Sequence, residues 1–173
     1  MKNRSVQKLA IAGAFCALAV VGSMFLTFPV FGSKCAPVQH MVNILCAVFL
    51  GPWYGCASAF LCGVMRMMTG RTIQAVAGAV FGPILGGLLW QKTGNVYLVF
   101  VGEVVGTGFC GAMAAYPLMK WFYALDAQSP FYYIPFYTPS AVVGAAMGVA
   151  AVLILKRGGV LDRLLAMLDG GER

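Results

Sequence analysis

The chain has 173 residues, 61% of them hydrophobic and only 10% charged, with a formal net charge of +7. A soluble domain carries about 25% charge, and a chain this short keeps too much surface exposed to hide so much apolar side chain in one core. Lipid accepts that surface, so the composition excludes an ordinary soluble domain and predicts an all-α integral membrane protein.

The basic residues sit mainly at the chain ends and between apolar runs. Membrane topology explains that placement, because Lys and Arg are retained on the cytoplasmic side. No nucleic-acid partner is expected. The chain reads as one transmembrane domain over residues 1–173, without linkers or internal repeats.

Lys2, Arg4 and Lys8 precede an apolar run from Leu9 to Phe28. This run exceeds the roughly 7–15 residues of a signal-peptide core, and no small-residue cleavage site ends it. It predicts a retained first span over residues 6–28. Pro29 closes the span, and residues 31–37 carry the Gly and Pro punctuation of a loop that exposes Cys35. A short second span covers 38–50. Gly51-Pro52-Trp53-Tyr54-Gly55 predicts a tight turn with aromatics at the membrane interface, before a third span over 54–68. The turn 69–72 leads to a fourth span over 73–90. The fifth covers 96–121, with a kink expected at Pro117. A polar stretch over 125–130 separates it from the sixth, 133–155, which Lys156-Arg157-Gly158-Gly159 stops. In the tail 160–168, Val160, Leu161, Leu164, Leu165 and Leu168 share one face. That amphipathic helix suits the cytoplasmic membrane surface or a partner.

Six spans put both ends on one side. Lys2, Arg4, Lys8, Lys92, Lys156, Arg157, Arg163 and Arg173 then share that side, and Lys34, Arg66, Arg71 and Lys120 take the other. The excess predicts a multi-pass cell-membrane protein with cytoplasmic N- and C-termini.

Small residues recur four apart at Ala10/Ala14, Gly51/Gly55, Gly78/Gly82, Gly82/Gly86, Gly102/Gly106 and Gly144/Gly148. Each pair lets another helix approach closely, either inside the bundle or on a partner subunit. Ionisable groups inside spans are expensive and mark function by default. Glu103 is the main one, with Thr107 one turn on. It serves either as a ligand group or as a hydrogen-bonded lock between helices. Gln39, His40 and Asn43 form a polar stripe on the second span. Arg66 lies near the outer end of the third span and can snorkel to the interface. Aromatics, among them Phe31, Trp121, Tyr133, Phe136 and Tyr137, crowd the outer half. Most suit an interfacial belt, and some can stack on a flat ligand. Around Pro139, a broken turn would bare Tyr137, Thr138 and Ser140 to a cavity.

None of the six cysteines makes a CxxC, and no His/Cys cluster has metal spacing, so no disulfide, metal or cofactor is expected. The chain lacks GxSxG, HExxH and a P-loop.

Lys34-Cys35-Ala36-Pro37-Val38-Gln39-His40 with Asn43, Leu50-Gly51-Pro52-Trp53-Tyr54-Gly55, Arg66, and Gly102-Glu103-Val104-Val105-Gly106-Thr107-Gly108 together resemble the ThiW family. These are substrate-binding S-components of energy-coupling factor (ECF) transporters. The resemblance covers nearly the whole chain and implies a six-transmembrane-helix bundle of the ECF S-component type. It implies capture of a thiamine precursor, hydroxyethylthiazole, at the outer face. It also implies a transmembrane coupling subunit and two ATPase subunits as partners, with Ala10 and Ala14 docking to the former. Gln39, His40, Asn43, Arg66, Glu103, Thr107 and Tyr137 are the expected substrate-binding residues, with His40, Asn43 and Glu103 as anchors. The chain departs from the family at Arg66-Met67-Met68-Thr69-Gly70-Arg71-Thr72 and at Ala77-Gly78-Ala79. Another small heterocycle therefore stays open as substrate. So do a small intramembrane enzyme using Glu103 and His40, and a structural subunit without ligand.

Overall fold

The computed structural model describes residues 2–30, 33–125 and 129–169. The expectations that fall on Phe31, residues 126–128 and Arg173 lie outside them. Helix α1 runs over Lys2–Phe25 and is followed by strands β1 (Phe28–Val30) and β2 (Ser33–Cys35). Next come α2 (Pro37–Phe49), α3 (Gly51–Met68) and α4 (Gln74–Thr93). Helix α5 (Val96–Val105) passes through a π-helical turn, Gly106–Gly111, into α6 (Ala112–Tyr123). A 3-10 turn, Pro130–Tyr133, opens α7 (Ile134–Arg157), and α8 (Val160–Asp169) ends the described chain.

Local chemistry sets the boundaries. Pro37 and Pro52 sit in the first turns of α2 and α3, where a missing N–H has no intrahelical partner to lose. Gly51 takes φ +79° and reverses the chain between those helices, a conformation that favours glycine. The turn therefore falls at Leu50–Gly51, and the third helix begins three residues before the expected 54. Asn95 caps α5, its Oδ1 accepting the Tyr97 N–H at 2.9 Å.

By length and composition, three helical stretches among the described residues can cross a membrane: Ser5–Phe25, Val96–Tyr123 and Pro130–Arg157. Helix α2 is apolar but short. Eleven of its thirteen residues are buried, which makes it the central element. It contacts α1, α3, α4, α5, α7 and α8.

Several expectations are corrected. The first helix stops at Phe25 rather than 28, because the chain turns into an antiparallel hairpin that pairs Phe28 with Cys35. The hairpin replaces the expected loop, and Cys35 is buried, not exposed. The break in the fifth span is the π turn; Pro117 lies within α6. Helix α7 runs through Pro139 without the expected broken turn, and Thr138 returns its hydroxyl to the Ile134 carbonyl at 2.9 Å. In α8, Leu161, Leu165 and Leu168 join the core beside α1, α2 and α7. Val160 and Leu164 stay partly exposed, so the buried face is narrower than the pattern predicted, and it packs on this chain.

The glycine pairs pack the bundle internally. A Cβ on Gly102 would meet the Gly86 backbone, and one on Gly106 would meet Phe81 and Gly82, so α4 lies backbone to backbone against α5 and the π turn. Gly144 and Gly148 give α7 the same close approach to α2 at Pro37, His40 and Ile44. On α1, by contrast, Ala10 and Ala14 are exposed, and Gly13 between them has nothing within 4 Å of its missing Cβ.

Candidate functional site

Two layers of polar groups meet where α2, α4, α5 and α7 converge. The inner layer centres on Glu103, 1% exposed. Its Oε1 accepts the Asn43 Nδ2–H at 2.9 Å and the Thr107 hydroxyl at 3.0 Å. His40 Nδ1 lies 2.9 Å from the same oxygen. Asn43 Nδ2 also reaches the Ala79 carbonyl at 3.3 Å, which ties the cluster to α4. With Nδ1 engaged by the carboxyl, the His40 ring is fixed in orientation and its Nε2 edge faces away from Glu103. Glu103 Oε2 is buried without a partner. Gly82 makes room for this carboxyl: a Cβ there would overlap Oε2 and crowd Thr107. The π turn starts one turn after Glu103, and such turns recur where a helix is bent to serve a site.

The outer layer is a cavity of about 110 Å³. Cys35 and Ala36 close it from the hairpin side, Gln39 and His40 from α2, and Phe136, Tyr137 and Ser140 from α7. Arg66 enters from the end of α3, Arg71 and Thr72 from the turn after it, and Gln74, Ala75 and Gly78 from the first turns of α4. Local bonds hold this rim. Ser140 accepts the Ala36 N–H at 3.0 Å, which latches the hairpin onto α7. Tyr137 donates its hydroxyl to the Gln74 carbonyl at 2.9 Å, and its ring lies on Gly78, where a side chain would collide with it. Burial pushes the Cys35 thiol up from its ordinary range, and a hydrogen bond from the Ser140 backbone partly opposes this.

The cavity groups are incompletely partnered. Arg66 is 9% exposed and its Nε has no acceptor, and Gln39 Oε1 has no donor. A buried polar group without a partner costs about 1–3 kcal/mol, more when it is charged. A bound molecule that bonds to both would recover that free energy.

Of the expected site residues, Gln39, His40, Arg66 and Tyr137 border the cavity. Asn43, Glu103 and Thr107 lie behind His40 and bond to one another. The resemblance puts the stretches 66–72 and 77–79 in the region of the pocket, but Arg71, Thr72 and Gly78 are not among the expected binding residues, and Gln74 and Ala75 carry no expected role. Helix α4 carries few polar side chains, and a small-residue stripe does not show which face holds a ligand. Arg71 did leave a signal: a second cation five residues after Arg66, with no acid between them.

No group of three or more His, Cys, Asp or Glu could hold a metal among the described residues. The arrangement offers hydrogen-bond donors, acceptors and aromatic walls around a space for one small ring; an apolar cavity of about 150 Å³ holds a benzene.

Two UPF0397 proteins of Streptococcus thermophilus, from strains LMD-9 and CNRZ 1066, are each 33% identical to this chain over 61 residues. Each match takes in 35% of the chain and 34% of the relative, so the chain spans about a third of the curated relatives it matches. A much longer match, over residues 9–158, is to the family described as thiamine-precursor transporter protein (ThiW). The apolar helices and this match over most of the chain agree: the protein belongs to the ThiW family of membrane transporters.

Proposed function

We propose that the chain is the substrate-binding S-component of an ECF-type importer in the plasma membrane, and that it captures hydroxyethylthiazole. The cavity carries this reading. It has the size for one small heterocycle, aromatic walls at Phe136 and Tyr137, and unpartnered polar groups at Gln39 and Arg66. Hydroxyethylthiazole is flat and uncharged, with a ring nitrogen and one hydroxyl as handles. Arg66 would donate to one handle, and Gln39 or His40 Nε2 would accept from the hydroxyl. Asn43, Glu103 and Thr107 would act one layer back, holding His40 in place.

On this reading α2, α3 and α4 complete a six-span bundle with both termini in the cytoplasm, and the cavity opens outward. The exposed face of α1 at Ala10, Gly13 and Ala14 is left for the coupling subunit, since small residues allow a second helix to approach closely. The chain carries no P-loop, so two ATPase subunits would supply the driving force. It acts by binding, not catalysis: Glu103, the carboxylate an intramembrane enzyme would use, does not border the cavity.

Calorimetric titration of the purified chain with hydroxyethylthiazole, thiamine and the pyrimidine precursor tests this. Selective binding of the thiazole, weakened by Arg66→Gln and Tyr137→Ala, is expected. Binding of thiamine or the pyrimidine alone would overturn the substrate, and turnover of the thiazole by the isolated chain would favour the enzyme reading.

A further inference from the structure

Two arginines share the cavity wall without a counter-charge. Arg66 and Arg71 both border it, and the Arg71 N–H bonds to the Arg66 carbonyl at 3.1 Å, so the turn between α3 and α4 holds them together. Neither makes an ion pair among the described residues. The nearby carboxylate does not border the cavity: Glu103 Oε1 bonds to His40, Asn43 and Thr107, and Oε2 is buried against Gly82.

The backbone adds the same sign. Gln39 and His40 belong to the first turn of α2, and Gln74 and Ala75 to the first turn of α4. Both helices therefore aim the positive end of their dipole at the cavity. Two guanidinium groups and two helix N-termini converge on one space, while the Arg66 Nε there is buried and lacks an acceptor. Leaving such a charge uncompensated in a low-dielectric site is costly, and an anion from outside removes the penalty.

We propose that this cavity is an oxyanion site, taking its heterocycle through a carboxylate or phosphate substituent held by Arg66 and Arg71. This rests on the reading of the chain as a precursor-binding subunit, and sets an anionic relative of the thiazole in place of the neutral alcohol as its preferred ligand. The planar guanidinium fork suits a carboxylate or phosphate edge better than a neutral hydroxyl. The Gln39 amide can turn either end toward the ligand.

The test compares hydroxyethylthiazole with its carboxymethyl analogue, in which the terminal CH₂OH is replaced by a carboxylate at nearly equal volume. Both are titrated by calorimetry into the full chain in neutral-lipid nanodiscs, with inorganic phosphate as a third titrant. The carboxylate is expected to bind about tenfold more tightly than the alcohol, the equivalent of about 1.4 kcal/mol. The ratio should collapse in Arg66→Gln and shrink in Arg71→Gln, while Arg66→Lys, which keeps the charge and serves if the first variant misfolds, retains part of it. Alcohol binding as tight as the carboxylate overturns the oxyanion site and leaves the thiazole reading standing. Phosphate binding that depends on Arg66, with neither thiazole binding, supports the oxyanion site and overturns the thiazole reading. If no titrant binds, both fall. If phosphatidylglycerol in the nanodisc suppresses carboxylate binding relative to phosphatidylcholine, the anion is a lipid headgroup, and the ligand assignment is overturned.

Discussion

Gly82→Ala isolates the inner polar layer from the cavity. Residue 82 does not border the cavity, yet its Cα lies against the Glu103 carboxyl. A Cβ there would sit 2.5 Å from Glu103 Cδ and 2.6 Å from Thr107 Oγ1. Ordinary contact needs about 3.5 Å, so the carboxyl must retreat by about 1 Å. That displacement carries the bonds to His40, Asn43 and Thr107, now 2.9, 2.9 and 3.0 Å, beyond useful hydrogen-bond range. Within a membrane, one such bond averages about 0.6 kcal/mol and reaches about 1.7, so three amount to about 2–5 kcal/mol. At 2–4 °C per kcal/mol for a chain of this size, the melting temperature falls by roughly 4–20 °C. Thermal unfolding of the purified chain in detergent reads this directly. Gly13→Ala is the control: it sits inside a helix with nothing within 4 Å, and should leave the melting temperature unchanged or slightly raised. His40 also loses the bond that orients its ring in Gly82→Ala, so ligand affinity should fall about tenfold or more. Equal melting temperatures for the two variants, with unchanged affinity in Gly82→Ala, would refute the three-bond cluster as the support of the site.

Replacing Ala10 and Ala14 with leucine fills an exposed face, so co-purification with a coupling subunit should be lost while ligand affinity stays the same; loss of both, or of neither, argues against docking there. Cys35 should react slowly with a maleimide at neutral pH, because burial raises its pKa and keeps the thiolate scarce. Its rate should go on climbing about tenfold per pH unit above pH 8.5, where a free thiol levels off. Bound ligand should slow it further, and site-resolved mass spectrometry showing no ligand protection would detach Cys35 from the site. Leu161→Ala should destabilise the fold by about 2–5 kcal/mol, because α8 buries this side chain in the core, whereas Met167→Ala, at 69% exposure, should change little. Equal effects would place α8 off the bundle.

Legibility in the sequence followed the range of the interactions. Composition and apolar runs showed a helical membrane protein, because that outcome depends on each segment alone. The polar stripe of Gln39, His40 and Asn43 was visible for the same reason: helical spacing puts neighbours on one face. What the stripe faces was not visible. His40 and Glu103 are 63 residues apart, and only the packing of α2 against α4 and α5 brings them to 2.9 Å. Sequence therefore showed Glu103 beside Thr107, one turn on, while the fold adds the two distant partners His40 and Asn43. The exposure expected of Cys35 failed similarly. Gly and Pro punctuation marks the end of a helix, but cannot show that a hairpin folds back and is latched by Ser140, more than a hundred residues away.

The small-residue pairs make the same point from the other side. Their spacing announces close helix approach but not the partner, and the fold separates the two meanings. Gly82, Gly86, Gly102 and Gly106 are consumed in one internal seam, and that seam is what leaves room for the Glu103 carboxyl. Ala10, Gly13 and Ala14 are exposed, and no described residue lies within 4 Å of the missing Cβ of Gly13. On the proposed reading, a chain that seats one carboxylate behind one histidine, with two arginines in front of it that make no ion pair among the described residues, is arranged around the ligand in that cavity. Filling Gly82 should therefore reach the ligand through His40 alone. Filling Ala10 and Ala14 should not reach it at all.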